Sequence, residues 1–257
     1  MNIELSAAEI EVCWKQLQLD DMPVVIDGPP LGRTDTERRR LVASTLDGLR
    51  ARHLFGARGV DVDLAGVLLT LARPRWAIEA WLLLDRPVRA LGACRGRFGA
   101  VAILERDRVR LASCPPHSLL DEMVRLVRPT AGPGRSATVR AENLDAADRV
   151  AGRDMQRLAK ELTRRGERHD NARALARMCA RHSRLGQFGV LVRDHLGRQN
   201  PGPRVVGLHA TPDGWYSQLR RPGRGGTFVT VTPASPDLVT TQLRDLLDET
   251  RQLAVQV

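Results

Sequence analysis

VRLASCPPHSLL (Val109–Leu120) and FVTVTPASPDLV (Phe228–Val239) are two versions of one sentence: an alternating strand, a proline stop, then the start of a helix. Reading backward from the first, the two-residue period holds over Trp76 to Leu84, Val88 to Cys94, Phe98 to Glu105 and Arg108 to Ala112. The breaks, Asp85-Arg86-Pro87, Arg95-Gly96-Arg97 and Arg106-Asp107, are too short for anything but antiparallel neighbours. Before the second copy the pattern returns over Gln187 to Asp194, Arg204 to Ala210, Trp215 to Arg221 and Thr227 to Thr232. Here the separators are His195 to Pro203, Thr211 to Gly214 and Pro222 to Gly226.

Helical patterns precede each meander. Ser6-Ala7-Ala8-Glu9 is a capping box, in which the Ser hydroxyl accepts from the Glu9 amide and the Glu carboxylate accepts from the Ser6 amide. Ile10, Cys13, Trp14 and Leu17 form the stripe behind it, followed by an extended Val24-Val25-Ile26 and a turn at Gly28 to Pro30. A second capping box at Thr34 to Glu37 opens a helix burying Val42, Leu46 and Leu49. Asp61 caps a third, with Leu64, Val67, Leu68 and Leu71 inward and Pro74 as its stop.

In the second half, Ala137 to Arg140 is extended. Asn143 to Arg165 is one helix burying Val150, Leu158 and Leu162, and Asp170 to Leu185 is another, burying Leu175, Met178 and Cys179 and stopped by Gly186. After the strands, Leu119, Leu120, Met123, Leu126 and Val127 close the first half. Ser235-Pro236, with Val239, Leu243, Leu246 and Leu247, closes the second.

The expected fold is α+β, with two halves related by a rough twofold, each made of helices, a four-strand meander and a helix. The halves run from Met1 to Arg128 and from Ala137 to Val257, joined by a linker at Pro129 to Ser136, and share one core.

A chain of 257 residues buries about 70 to 75% of its unfolded surface, so no metal or disulfide is needed to hold it. Lys and Arg number 40 against 30 Asp and Glu, a formal charge of +10, and only Lys15 and Lys160 are lysines. The arginines are scattered, with small clusters at Arg38 to Arg40, Arg164 to Arg168 and Arg220 to Arg224. A basic nucleic-acid-binding protein is therefore the alternative class, although such a protein concentrates its charge on one face. Cys13, Cys94, Cys114 and Cys179 have no zinc spacing and read as small buried hydrophobes of a reducing compartment. MNIELSAAE lacks a basic segment followed by an apolar run, and no stretch reaches the ~18 apolar residues of a membrane span. A soluble protein that stays where it is made is expected.

Catalytic signatures are missing from the sequence: no G-x-S-x-G, no G-x-x-x-x-G-K-[ST], no H-E-x-x-H and no strand-linked G-x-G-x-x-G. Cys179 with His182, His195 beside Asp194, His209, and the Gly-rich loop Pro222 to Gly226 with Arg221 and Arg224 are the candidates left. Each has a plain structural reading. The chain is expected to be no enzyme and to hold no cofactor or metal. What remains is the sheet surface, either an open apolar face for another protein's helical tip or a face roofed by the chain's own helices.

The ordered set Leu5-Ser6-Ala7-Ala8-Glu9 with Trp14 and Leu17, Met22-Pro23-Val24, Gly32 to Arg38, Leu71-Ala72-Arg73-Pro74, Gly186-Gln187-Phe188-Gly189 into Val192-Arg193-Asp194 and Gly197-Arg198, and Val229 to Ala234 resembles the EspG family. The resemblance implies a central antiparallel sheet flanked by helical bundles, and a cytosolic chaperone of type VII (ESX) secretion in an actinobacterium. Its partner would be a PE–PPE heterodimer or related helical-hairpin substrate, held by the apolar tip of PPE on the sheet and C-terminal helices. A homodimer is left open, and neither nucleic acid nor membrane insertion is expected.

Two departures stand out: Ala210-Thr211 and Gly214-Trp215-Tyr216 replace the Asp-Thr and Gly-Arg-Tyr of relatives, and the connection Asp85 to Pro87, which protrudes toward the client in the family, is short. The resemblance puts partner contacts on or beside the second meander, at Phe188, His209, Ala210, Trp215, Tyr216 and Arg220.

Overall fold

The computed structural model describes residues 2–28 and 34–255. Of the expected elements, the prolines of the Gly28 to Pro30 turn, together with Gly32 and Arg33, lie outside the described residues. In the first half the order is β1 (Asn2–Ser6), α1 (Ala7–Gln16), α2 (Asp35–Ala51), a two-residue ribbon β2 (Phe55–Gly56) and β3 (Gly59–Val60), and α3 (Val62–Ala72). The meander follows as β4 (Trp76–Leu83), β5 (Pro87–Arg95), β6 (Phe98–Glu105) and β7 (Arg108–Cys114), and α4 (Leu119–Arg125) closes it. The second half repeats this with β8 (Ala137–Arg140), α5 (Ala141–Ala151), α6 (Met155–Arg164) and α7 (His169–Met178). Its strands are β9 (Arg184–Arg193), β10 (Gln199–Pro201), β11 (Val206–Thr211), β12 (Gly214–Gly223) and β13 (Gly226–Pro233), before α8 (Pro236–Val255).

Among the described residues, eleven strands make one antiparallel sheet in the order β1-β7-β6-β5-β4-β9-β11-β12-β13-β8, with β10 hung on β9. The two meanders meet at β4 and β9, paired from Trp76↔Val192 to Leu83↔Leu185. The first strands of the halves are thus adjacent at the centre, the fourth strands lie outside them, and the N-terminal strand of each half forms an edge. That order is a pseudo-twofold about the β4–β9 seam.

The Ser6–Glu9 capping box expected from sequence is in place. The Ser6 hydroxyl accepts from the Glu9 amide at 3.2 Å while the Ser6 amide donates to Glu9 at 2.7 Å. Thr34 accepts from the Glu37 amide, and Asp61 accepts from Asp63 and Leu64.

Several local expectations fail for identifiable reasons. Val24 to Ile26 is a turn, because the amides of Ile26 and Asp27 both donate to the Pro23 carbonyl. The single helix over Asn143 to Arg165 is two helices. Gly152 takes φ +57° with ψ −117°, which only glycine adopts readily, and Asp154 re-caps by accepting from the Gln156 and Arg157 amides. Val150 then faces solvent instead of the core. The helix expected over Asp170 to Leu185 ends at Met178, well before Gly186, which lies inside β9 with the Leu82 side chain close over its bare Cα.

The segment Pro129 to Ser136 is no free tether. Thr130 accepts from the Trp215 amide at 2.8 Å, Gly132 donates back to Trp215, and the Tyr216 hydroxyl donates to Pro133 at 3.1 Å. A Cβ on Gly132 would stand 2.3 Å from the Tyr216 ring and hydroxyl, so the two backbones interlock.

Three apolar clusters fill the molecule. On one sheet face, α4 and α8 lie together across the central strands, burying Ile78, Phe188, Val190, Leu208 and Trp215 beneath Leu119, Met123, Leu243 and Leu246. On the other face the outer thirds are covered separately: α1 and α3 sit over β5, β6 and β7, and α5 to α7 over β12, β13 and β8. Neither simple expectation for the sheet surface holds, because one face is roofed at its centre and the other only at its sides. The β8 edge is closed by side chains, with Asn171 donating to the Thr138 carbonyl and Glu167 accepting from the Arg140 amide.

Candidate docking site

The uncovered centre is an open trough of about 1640 Å³ along the β4–β9 seam. Its floor comes from side chains directly opposite across the seam, Leu83 with Leu185 and Trp81 with Gln187. Leu83 is 50%, Leu185 42% and Trp81 37% exposed, although β4 and β9 are the central strands of the sheet, and Val205, just before β11, is 43% exposed. Strand alternation explains why. Leu82 and Phe188 point to the α8 side, so Trp81, Leu83 and Leu185 point to the side where no helix lies. One wall is the β4–β5 hairpin with Pro87 and Arg89, and the other is the α5–α7 bundle with Leu144, Met155 and Leu158. The Arg89 guanidinium lies 5.6 Å from the Trp81 ring and donates to the carbonyls of Val24 and Asp27, which fixes that wall.

Of the residues singled out from sequence, Arg220 lies on the trough, its guanidinium paired to Asp145 of α5 at 2.5 Å. His209 borders it but is buried, stacked on Tyr216 at 5.6 Å with Nε2 against the Met178 carbonyl at 2.9 Å. Tyr216 is buried within the α5–α7 cluster. Phe188, Ala210 and Trp215 are on the opposite face, packed in the α4–α8 cluster. Sequence reasoning missed Trp81, Leu83, Leu185 and Val205. For Trp81 and Leu83 the available signal was that β4 carries large apolar side chains on the consecutive positions Trp81-Leu82-Leu83, more than a half-exposed strand needs.

The other candidate chemistry dissolves into structure. Burial, with Asp148 adding to it, pushes the Cys179 thiol up to about 11, and His182 reaches only its carbonyl, at 3.5 Å. Asp194 closes its own turn, accepting from the Leu196 and Arg198 amides. Desolvation would raise its carboxyl, but the Arg198 amide and guanidinium hold it down at about 2, so it is an acceptor and no proton donor at neutral pH. His195 is exposed beside it. The Gly-rich loop is the β12–β13 hairpin, where the Gly225 carbonyl accepts from Arg140 at 2.9 Å. Among the described residues, no group of three His, Cys, Asp or Glu side chains is placed to hold a metal, and no helix is long and apolar enough to cross a membrane.

His209 carries a pH prediction. Burial lowers its pKa against the opposing hydrogen bond to Met178, so the folded state prefers the neutral ring. A folded pKa below the unfolded 6.5 means that its contribution to stability is complete above about pH 6.5 and is lost as pH falls below it. An NMR titration should show its ring protons shifting at a pH below the unfolded value of about 6.5; a midpoint at or above that value would contradict this.

The sequence model described as the EspG family matches residues 6–245. No curated protein matches the chain. Among solved structures, the type VII secretion system chaperone EspG5 of Mycobacterium tuberculosis, determined in complex with the PE25–PPE41 dimer, superposes with a TM-score of 0.77 over 97% of this chain and 97% of that one, at 15% identity. At that identity the likeness is one of fold.

Proposed function

Because the chain belongs to the EspG family, we propose that it is a cytosolic chaperone of type VII secretion that seats the apolar helical tip of a PE–PPE heterodimer in the trough. It acts by binding and not by turnover. The observation that carries this reading is the bare seam: Leu83 and Leu185 face each other in the open, between two roofed flanks. A helical tip is about 10 Å across, suited to a groove between a hairpin and a helix bundle. Apolar area hidden there contributes ~25 cal/mol per Å² before the costs of association are subtracted, which leaves an affinity compatible with later release. The resemblance of this fold to a chaperone whose structure was determined in complex with a PE–PPE dimer supports the choice of client.

The contact set follows from the trough: Trp81, Leu83, Leu185, Gln187 and Val205 on the floor, with Arg220 at the side. Phe188, Ala210, Trp215 and Tyr216 act from beneath by shaping the strands, and His209 by fixing the α7 end. The halves 1–128 and 137–257, with 129–136 bolted between them, behave as one folding unit, since the α4–α8 cluster draws side chains from both. The nucleic-acid alternative needs a continuous basic face, and here many arginines are tied to carboxylates, as in Arg184–Asp85, Arg38–Glu11 and Arg220–Asp145.

Co-expression with PE–PPE pairs from the same genome, followed by co-purification, tests the proposal. A stable complex of one chaperone with one heterodimer is expected. Recovery of the chain free of every such pair would count against it.

A further inference from the structure

Charge around the apolar floor is lopsided. Arg220 is neutralised by Asp145, and Arg204 by Glu249 of α8. Arg89 is held by two backbone carbonyls, and no carboxylate pairs with it among the described residues. Arg153, just after α5, and Arg181, just after α7, line the opposite wall of the trough, are exposed, and likewise have no carboxylate partner among the described residues. Against these three stands Asp148 as the trough's one acid without an ion pair there.

Resting on the docking reading above, we propose that the trough selects a helical hairpin whose tip carries Asp or Glu beside its apolar residues, with Arg153 and Arg181 receiving those carboxylates. The apolar floor then supplies adhesion common to any greasy tip, while the arginines discriminate among tips. A tip with lysine or arginine in those places meets like charge and is rejected. Arginine suits the task because its planar fork binds a carboxylate through two parallel N–H bonds and stays charged at every physiological pH.

The test uses the full chain and the PE–PPE heterodimer that co-purifies with it, with dissociation constants measured by calorimetry over a range of salt. R153E/R181E changes two exposed side chains and leaves the core alone. It should weaken binding by about tenfold or more and flatten the salt dependence. Amide replacement of the tip acids in the client should do the same to the unmodified chain. If R153E/R181E binds with the parent affinity and salt slope while Leu83→Asp abolishes binding, acid selection is overturned and the docking site stands. If neither variant alters binding, the seat lies elsewhere and both readings fall. A tightly held client whose tip has no acidic residue also overturns the selection rule.

Discussion

Leu83→Asp should reduce affinity for the PE–PPE client by at least about thirtyfold, the loss expected when a central apolar anchor is replaced by a desolvated, unpaired charge. Leu83 is half exposed and ends β4, so the free protein gives up little packing, and its thermal unfolding should move by no more than about 2 °C. Leu185→Asp, directly across the seam, should match it, and the double variant should cost less than the sum because the two leucines touch the same part of the client. Titration calorimetry separates binding from folding here. A dissociation constant within roughly twofold of the parent for both single variants would remove the trough as the seat.

Phe188→Ala should have the opposite profile. The ring is fully buried between β9 and α8, in the cluster that both halves share, and truncation should cost about 3–5 kcal/mol of folding free energy. Urea unfolding should show a lower midpoint with an unchanged slope, while protein that remains folded binds the client nearly as before. A Phe188→Ala variant that folds as stably as the parent but fails to bind would make Phe188 a direct contact instead.

Those two residues show what the sequence could and could not disclose. The alternation in Trp76 to Leu83 and in Arg184 to Arg193 marks strands and separates two sides, yet nothing local says which side a distant helix will cover. Phe188 and Gln187 are neighbours in one strand, and their fates are decided by α8, some fifty residues away. The meanders, their order and most helix caps were legible because each depends on contacts a few residues apart, such as Ser6 with Glu9. Strand β1 was readable from Ile3 and Leu5 but was overshadowed by the capping box that follows it. The break at Gly152-Arg153-Asp154 was written as a glycine stop and an aspartate start, and lost within a longer apolar period.

The pseudo-twofold through the β4–β9 seam has a bearing on polarity of loading. A cradle with true dyad symmetry would accept an elongated guest equally well in either sense, and half the encounters would present its export signal backward. Here a tryptophan under an arginine marks one side, while helix ends bearing Arg153 and Arg181 mark the other. The degeneracy is lifted without altering the underlying scaffold, because a handful of side chains on a near-symmetric sheet is enough to give the berth one direction.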